Sequence, residues 1–361
     1  MSDVTNAARA ALSEYVAVEG VPLAPQLASP QLVRPLGDGL INETFLVELA
    51  APAGPVRAVL QRINPLFGIA VHDDIEAITT HLAHKGLPTP RLLRTRQGAL
   101  AVDRGNDGVW RLLSYVAGHS FSQMTPQLAM PAGELVARFH SAVADLDHRF
   151  HFVRSGAHDF AKHLRNLRAA CEHAAQKDTT PAAFFPLADA IFALADTIPA
   201  DVPGPLRICH GDLKINNLRF SDEGRGICLL DLDTLASLRL GLELGDALRS
   251  WCSPLGEDRS DAYFDTGLLD AVLRGYAGCA KQFVTVEERE FLVTGTLRIA
   301  VQLAARFAAD VVNQSYFRFD PTRFASRAAH NLVRAQGQLS LAHSLVAQKS
   351  VAESLVCRAF S

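Results

Sequence analysis

The chain has 361 residues, of which 48% are hydrophobic and 20% charged, and its formal net charge is −3. This length and composition predict a globular protein with a sizeable core, organised as one large or two ordinary domains. The charge provides no basic field, and no basic run is interleaved with aromatic residues, which argues against nucleic-acid binding.

The cysteine content and the hydropathy of the chain indicate its cellular compartment. The six cysteines are scattered and none forms a C-x-x-C pair, which argues against a zinc knuckle or a redox pair and suits a reducing cytosol. No stretch reaches the roughly 18 uncharged apolar residues of a membrane-spanning helix. Met1 to Gly20 lacks the pattern of a secretory signal. We therefore expect a cytoplasmic protein without a membrane partner.

The first part of the chain predicts strands around a glycine turn. Asn6 to Val18 is Ala-rich and predicts a short helix. Residues 31–36 predict a first strand, and an alternating pattern at residues 42–49 predicts a half-buried second strand. The turn before that strand contains Gly37 and Gly39. Because a backbone without Cβ can approach phosphates closely, these glycines are candidates for a nucleotide-covering turn. An ordinary β-turn has the same composition, and this alternative stays open.

A third strand is predicted at Val56 to Ile63. In protein kinases the third strand carries a lysine that pairs with the nucleotide phosphates, and no lysine is present here. Gln61 and Arg62 are the polar candidates for that contact. Strand alternation puts them on opposite faces, so only one can face a nucleotide. The sequence does not decide which.

The predicted helix from Asp73 to Lys85 offers an acidic partner for the third strand, Asp74 or Glu76. The alternative is a solvated acidic first turn, favoured by the helix dipole. Two further strands, at 99–102 and 109–116, flank a hairpin turn. Residues 31 to 116 therefore predict a five-stranded antiparallel sheet with one helix.

The segment Ser114 to Gly118 leads from the sheet into a mainly helical region. In a kinase-like fold this segment is the hinge whose backbone binds the adenine edge, which makes Ser114 and Val116 candidates for nucleotide contact. In the helical region, the histidine-rich stretch from His148 to His173 shows no i,i+4 pairing with carboxylates, so we expect no metal site there.

The residues that carry chemistry lie in the stretch from His210 to Asn217, which we call the catalytic loop. Its H-x-D-x-x-x-x-N spacing is that of the protein-kinase catalytic loop. At that spacing Asp212 would accept the proton of the attacking hydroxyl, and Asn217 would hold a magnesium ion. Mg²⁺ takes oxygen ligands and keeps several waters, so one amide oxygen and one or two carboxylates suffice.

A second acidic stretch follows a predicted hairpin. Residues 217–220 predict a strand, 221–226 a polar turn and 227–230 a buried strand. Asp231 then stands where the magnesium-binding Asp of the same machinery stands. In an extended segment Asp233 would share its face, where it could hydrogen-bond a sugar hydroxyl or cap the next turn.

Three features of the C-terminal half predict local structure. Asp246 is expected to start or cap a helix, with Arg249 in its first turn as an i,i+3 partner. Residues 285–288 form a capping box before a long amphipathic helix. Arg306 lies in an apolar run and needs a partner if it is buried. A hydroxyl-rich or anionic ligand is one answer, and Asp310 is the other.

These motifs together resemble the aminoglycoside phosphotransferase/choline kinase-like superfamily, which has a protein-kinase-like fold. The similarity covers about residues 33 to 250. Within the superfamily the chain is most similar to N-acetylhexosamine 1-kinases. That closer match rests on Leu60-Gln-Arg-Ile-Asn64, Asp231-Leu-Asp-Thr234, Gly245-Asp-Ala-Leu-Arg249, Arg306-Phe-Ala-Ala-Asp310, Tyr316-Phe-Arg318 and the segment from His330 to Gln336.

The resemblance implies an α+β, protein-kinase-like bilobal fold. It would have a small antiparallel-sheet N-lobe at residues 1–114 and a larger, mainly helical C-lobe at 115–361. It also implies ATP and Mg²⁺ as cofactors and a small-molecule acceptor. Residue by residue it implies Asp212 as the catalytic base, Asn217 and Asp231 as metal ligands, Gly37, Gly39, Asn42, Gln61, Arg62, Ser114 and Val116 as nucleotide contacts, and Asp233, Arg306 and Tyr316 as sugar contacts.

The leading interpretation is a kinase that phosphorylates a sugar hydroxyl, the anomeric one of an N-acetylhexosamine. Other acceptors remain open, namely aminoglycosides, amino alcohols or other sugars. The C-terminal half has no unusual acidic run to attract a polycation, which disfavours an aminoglycoside. A nucleotide-binding module without catalysis is disfavoured because Asp212, Asn217 and Asp231 occur together. The sequence specifies neither the nucleotide preference nor the oligomeric state.

Overall fold

A computed structural model of the protein describes residues 2–15, 17–18, 21–22, 32–36, 42–49, 56–154, 156–176 and 180–361. The chain divides into two compact units. The first, which we call the sheet unit, takes its described residues from Met1–Gly118, Asp145–Arg154 and Cys228–Leu235. The second, the helical unit, comprises the described residues of His119–Ala144, Ser155–Ile227 and Ala236–Ser361.

The sheet unit begins with a helix and continues mainly as strands. Its elements are α1 (Ser2–Leu12), β1 (Ala17–Val18), β2 (Val21–Pro22), β3 (Leu32–Pro35), β4 (Glu43–Leu49), β5 (Val56–Arg62), α2 (Val71–His84), β6 (Leu92–Leu93), β7 (Val102–Asp103) and β8 (Val109–Ser114).

An antiparallel sheet of six strands organises this unit within its described residues. The strand order is β3-β4-β5-β8-β6, and β7 also pairs with β8. The predicted antiparallel sheet with one helix between its strands is confirmed, but the predicted number of five strands is wrong. The additional strand, β6, has two residues, which is too short to show an alternating pattern after the proline-rich turn.

The two faces of the sheet differ in chemistry because successive side chains on a strand point to opposite sides. One face packs against α1 in an apolar core, formed by Ala8, Ala11, Leu12, Tyr15, Phe45, Val47, Ala58, Leu60, Trp110 and Leu112. On the other face Thr44 lies opposite Gln61, and Gln61 lies opposite Arg111. Three neighbouring strands therefore carry one polar row.

The helical unit contains the remaining elements. They are α3 (Pro126–Val143), α4 (Phe160–Ala174), α5 (Phe184–Ala195), β9 (Leu206–Cys209), β10 (Leu218–Phe220), β11 (Gly226–Leu229, whose last two residues belong to the sheet unit), β12 (Ala236–Arg239), α6 (Leu240–Trp251), α7 (Thr266–Ala280), α8 (Val286–Asn313), α9 (Arg327–Ala347) and α10 (Lys349–Phe360). The predicted α+β fold, with a small antiparallel sheet in the N-terminal region and helices in the C-terminal region, is confirmed.

Helix α8 is the longest helix among the described residues. It begins at the predicted capping box, in which the Thr285 hydroxyl accepts the Glu288 N–H and the Glu288 carboxylate accepts the Thr285 N–H. By length and composition alone α8 could cross a membrane, but 83% of its most apolar window is buried within the structure. Such burial is typical of the core helix of a folded unit.

Helices α6 and α8 approach each other at glycines. A Cβ added to Gly295 would lie 2.2 Å from the Gly241 carbonyl oxygen, and one added to Gly245 would lie 2.7 Å from the Gly295 backbone. No side chain fits into either gap, so glycine allows the two backbones to touch. This contact fixes α6, the helix that holds the catalytic loop.

The start of α6 differs from the prediction. The helix begins at Leu240, so Asp246 lies in its middle and does not cap it. The leucines before Asp246 alternate along the sequence as in a strand, yet every residue from Leu240 to Gly245 is helical and buried. The predicted i,i+3 ion pair is present, with 2.8 Å between Arg249 Nη2 and Asp246 Oδ1.

Candidate active site

The catalytic loop brings Asp212 and Asn217 together. Strand β9 ends at Cys209, and a 3-10 turn at Ile215–Asn217 closes the loop. The Asn217 side-chain amide donates to the Asp212 backbone carbonyl at 2.9 Å and to its carboxylate at 3.3 Å. The base and the first metal ligand predicted from the sequence therefore lie on one hydrogen-bonded turn.

Lys214 is a third polar residue of this loop, and sequence reasoning missed it. Its Nζ lies 3.0 Å from Asp212 Oδ2. Burial opposes the charged form of Lys214, but the carboxylates of Asp212, Glu257 and Asp246 together outweigh it and raise the pKa of the lysine above its usual value. The signal was available, because a lysine two residues from a catalytic Asp on a tight loop can reach the same reacting group.

Glu243 anchors the loop from α6. Its two carboxylate oxygens accept the backbone N–H groups of His210 at 2.7 Å and Gly211 at 2.9 Å. Gly211 has a φ of 81°, which a residue with a Cβ adopts only with strain. The backbone at the start of the loop is thus held by one fully buried side chain.

Burial disfavours a charged Glu243, yet its pKa lies below the usual value. Attraction from the His140 imidazole, 3.5 Å away, and from His210, together with the hydrogen bond from the Gly211 N–H, outweighs the desolvation. His140 is itself buried and its Nδ1 lies 2.9 Å from the Tyr276 hydroxyl. Sequence reasoning missed Glu243, although a lone carboxylate in the apolar run at the start of α6 signals a buried partner.

In the sheet unit Asp231 adopts an unusual backbone conformation. Its φ and ψ are 58° and 61°, in the left-handed region, and a 3-10 turn at Leu232–Thr234 follows. The segment is therefore not extended. The prediction that Asp231 and Asp233 share one face fails for this reason.

Asp233 is buried, with none of its side chain exposed. One carboxylate oxygen accepts Nη1 of Arg111, and the other accepts Nη2 of Arg111 at 2.9 Å and the Asn42 amide at 2.6 Å. Burial raises the pKa of this carboxyl, but the Arg111 charge and the hydrogen bonds outweigh burial and hold it below the usual value. Both carboxylate oxygens of Asp233 accept bonds from protein donors, and the predicted sugar contact at Asp233 stays a prediction.

The third strand places its two polar candidates on opposite faces, as predicted. Gln61 accepts from Arg111 Nε at 2.9 Å and donates to the Thr44 hydroxyl at 3.1 Å. Arg62 lies towards Glu43, at 3.6 Å, and is one-third exposed. The choice between them as phosphate contact stays a prediction.

The expected acidic partner of the third strand has other contacts. Asp74 accepts from His148 Nε2 at 2.8 Å and from the backbone N–H groups of His151 and Phe152 at 2.9 Å each. Glu76 pairs with Arg94 at 2.8 Å. The histidine stretch therefore does meet a carboxylate, Asp74, which lies far from it in the sequence on α2.

The remaining nucleotide candidates are placed as follows. At the end of β8 the Ser114 N–H donates to the Arg91 carbonyl and the Ser114 hydroxyl accepts the Arg91 N–H, each at 2.9 Å, and Val116 follows that strand. Asn42 is buried, and its side-chain oxygen accepts the Asn64 N–H at 2.9 Å. Gly37 and Gly39 lie outside the described residues.

Arg306 and Tyr316 lie together at the end of α8. The Arg306 guanidinium carbon is 5.4 Å from the ring centres of both Tyr316 and Phe317. Asp310, the alternative partner expected for Arg306, accepts the backbone N–H groups of residues 315–317 and so shapes the loop that carries both rings. Tyr316 is 54% exposed.

Comparison with known proteins identifies the family. The model of the phosphotransferase enzyme family APH matches residues 32–280. An aminoglycoside phosphotransferase from Alicyclobacillus acidocaldarius subsp. acidocaldarius DSM 446 is 17% identical, with a TM-score of 0.60 over 95% of this chain and 96% of that chain. A microcompartment-associated aminopropanol kinase is 15% identical, with a TM-score of 0.61 over 97% and 99%. Amicoumacin kinase hAmiN, in complex with AMP-PNP, Ca²⁺ and Ami, is 12% identical, with a TM-score of 0.56 over 88% and 89%.

At these identities the solved structures share the fold with this chain. The family model covers most of the chain and includes the catalytic loop, Asp231 and Asp233. The chain therefore belongs to the phosphotransferase enzyme family APH.

Proposed function

We propose that this protein is a small-molecule kinase that transfers the γ-phosphoryl group of ATP to a hydroxyl group, with Mg²⁺ as its metal. The observation that carries the proposal is the hydrogen-bonded pair of Asp212 and Asn217 on the catalytic loop of a phosphotransferase-family member. The similar fold of hAmiN, which was solved with AMP-PNP and Ca²⁺, supports the use of a nucleotide and a divalent cation.

The donor set fits magnesium. The Asn217 amide nitrogen is bonded to Asp212, so its oxygen, at the other end of the amide, is the atom offered to a cation. Asp231 offers a carboxylate. Both are hard oxygen donors of the kind Mg²⁺ takes, and we propose these two residues as its protein ligands. When bound, Mg²⁺ would neutralise charge on the phosphate oxygens.

The chain's own residues handle the proton and the geometry. Asp212 would orient the acceptor hydroxyl and take its proton, with Lys214 close to the same carboxylate. Glu243 fixes the backbone on which Asp212 stands. Phosphoryl transfer depends mainly on positioning and on electrostatic stabilisation, and a rigid loop serves both.

For the acceptor we propose a sugar, and specifically the anomeric hydroxyl of an N-acetylhexosamine. The pairing of Arg306 with the exposed Tyr316 supports a neutral polyhydroxyl ligand, because an aromatic face and a guanidinium suit sugar stacking and hydrogen bonding. A cation at this position disfavours a polycationic aminoglycoside. An anomeric hydroxyl is also more acidic than an ordinary alcohol, which lowers the demand on Asp212.

Amino-alcohol phosphorylation is the second candidate. The aminopropanol kinase shares the fold over nearly the full length of both chains, which favours this alternative. Such a ligand would carry its own positive charge and would not gain from the Arg306 guanidinium.

An acceptor panel with ATP and Mg²⁺ tests the proposal. N-acetylhexosamines, other sugars, aminoglycosides and amino alcohols would be incubated separately and the products weighed by mass spectrometry. We expect a phosphorylated N-acetylhexosamine whose phosphorus couples to the anomeric proton in the NMR spectrum. Phosphate at the 6-position or on an amino alcohol would contradict the proposed acceptor but not the proposed kinase activity. Nucleotide binding without phosphoryl transfer to any acceptor would contradict the proposed kinase activity.

A further inference from the structure

We infer that Arg111 is a positioning residue for the proposed metal ligand Asp231. Through Asp233, it holds the Asp231 backbone in its left-handed conformation. The inference rests on the proposed function, because it assigns Arg111 a task only if Asp231 binds the metal.

The Asp231 backbone requires such support. Asp231 is one of two non-glycine residues with positive φ among the described residues. The Cβ of an L-residue crowds its own backbone in that region, so the conformation persists only where the surroundings over-determine it. Asp231 is followed by a short 3-10 turn, and whatever fixes that turn contributes to this support.

Asp233 fixes the turn. It lies in the middle of Leu232–Thr234 and accepts two hydrogen bonds from Arg111 and one from Asn42. Both members of the ion pair are buried, with 2% of the Arg111 side chain and none of the Asp233 side chain exposed. If the turn moved, the Arg111–Asp233 pair would break. A buried charge without its partner strongly destabilises the folded state, so the pair holds the turn in place.

Arg111 is itself immobilised by the polar row of the sheet. Its Nε donates to Gln61, and Gln61 donates to Thr44 on the next strand. The guanidinium is thus oriented by neighbours on β5 and β4 before it meets Asp233. A bidentate contact of this kind transmits orientation as well as charge.

The same row disfavours a lysine at position 61 of the third strand. A lysine at position 61 would place a second positive charge beside Arg111, and its ammonium could not accept the Arg111 Nε–H. The neutral Gln61 can accept that bond and continue the row to Thr44. The absence of a lysine on this strand, unlike in protein kinases, therefore accompanies the Arg111–Asp233 pair.

Metal binding by a set of variants tests the inference. Arg111→Met removes the guanidinium, and Arg111→Lys keeps a charge without the bidentate contact. The double variant Arg111→Met/Asp233→Leu removes both charges together, and such a replacement of a buried pair is often well tolerated by the fold. Leu12→Ala is the control for lost stability, since it opens a cavity in the apolar core on the other face of the sheet. The readouts are the melting temperature, Mn²⁺ affinity in the presence of AMP-PNP by electron paramagnetic resonance, and the Mg²⁺ dependence of turnover.

We expect the double variant to regain most of the melting temperature lost in Arg111→Met while its Mn²⁺ affinity stays at least about tenfold weaker than wild type, the effect typical of second-layer partners of metal ligands. Leu12→Ala should lose stability and keep its Mn²⁺ affinity. A double variant with both stability and Mn²⁺ affinity of wild type would overturn the inference, as would Arg111→Lys or Arg111→Met with unchanged affinity. If wild-type protein bound no Mn²⁺–AMP-PNP, the proposed function would fail, and the inference with it.

Discussion

The side chain of Asn217 donates to Asp212 twice, to the backbone carbonyl at 2.9 Å and to the carboxylate at 3.3 Å. One amide therefore sets the orientation of the proposed base and directs its own oxygen away from it. Because an amide presents donor and acceptor at opposite ends, Asn217 can restrain Asp212 and offer a metal ligand at once. The functions of the two residues are coupled by geometry but separable by experiment.

The first prediction concerns the base. Asp212→Asn should lower turnover by roughly 10²–10⁴-fold, the usual cost of losing a positioned general base. Nucleotide affinity should change little, because the carboxylate serves the acceptor. Steady-state kinetics and equilibrium nucleotide binding measure the two effects. Asp222→Asn, whose side chain is 84% exposed on a turn, is the matched control and should behave as wild type. Wild-type turnover in Asp212→Asn would show that the loop has been misassigned.

The second prediction separates metal ligands from the base. Asp231→Asn should weaken Mg²⁺-dependent nucleotide binding and turnover together, because it removes a charged oxygen donor. Raised Mg²⁺ should partly rescue Asn217→Ala and leave Asp212→Asn unrescued. Titrating Mg²⁺ against turnover in all three variants measures this. Identical responses of the three would contradict the division of roles.

The third prediction concerns Glu243 as the support of the catalytic loop. Glu243→Gln replaces one accepting oxygen with an N–H₂ group that faces the backbone N–H of His210 or Gly211. One buried donor then loses its acceptor, at a cost of about 1–3 kcal/mol of unfolding free energy. Turnover should fall with little change in the nucleotide dissociation constant.

Denaturant unfolding and kinetics on the same preparation provide both numbers for Glu243→Gln. Glu290→Gln, at an exposed position of α8, is the control and should alter neither. Full activity in a destabilised Glu243→Gln protein would mean that the carboxylate supports the fold alone.

The fourth prediction concerns the pH dependence of stability. In wild type the folded-state pKa of Asp233 lies below the ordinary value of 3.8. Its stabilising contribution is therefore complete above that value and is lost as the pH falls through the lower folded-state pKa. In Arg111→Met burial is opposed only by the Asn42 bond and the nearby His72, so the folded-state pKa of Asp233 should rise above 3.8. The ionised carboxylate should then destabilise the fold instead of stabilising it.

At neutral pH Arg111→Met should lose about 3–5 kcal/mol, the cost of breaking a buried pair. As the pH is lowered from about 7 to about 5, Asp233 of the variant takes up a proton on folding and the stability gap should narrow. Urea unfolding of both proteins at several pH values measures the gap. A gap that is constant or widens over that range would contradict the predicted protonation of Asp233.

The sequence alone determined what depends on short separations. Asp212 and Asn217 are five residues apart, so a single turn brings them together wherever the loop lies in the fold. Thr285 and Glu288 satisfy each other at the start of α8 for the same reason. The period of the third strand placed Gln61 and Arg62 on opposite faces before any partner was known, because side-chain direction alternates with the backbone itself.

Only the tertiary structure decided the partners of the buried charges. Asp233 and Arg111 are separated by 122 residues, and Glu243 and the backbone of His210 by 33. The sequence shows that a carboxylate in an apolar segment needs a compensating group. From sequence alone, many cationic side chains and N–H groups along the chain are equally possible partners. Packing selects one of them, because a buried charge is stable only where a partner with the right geometry is held at hydrogen-bonding distance.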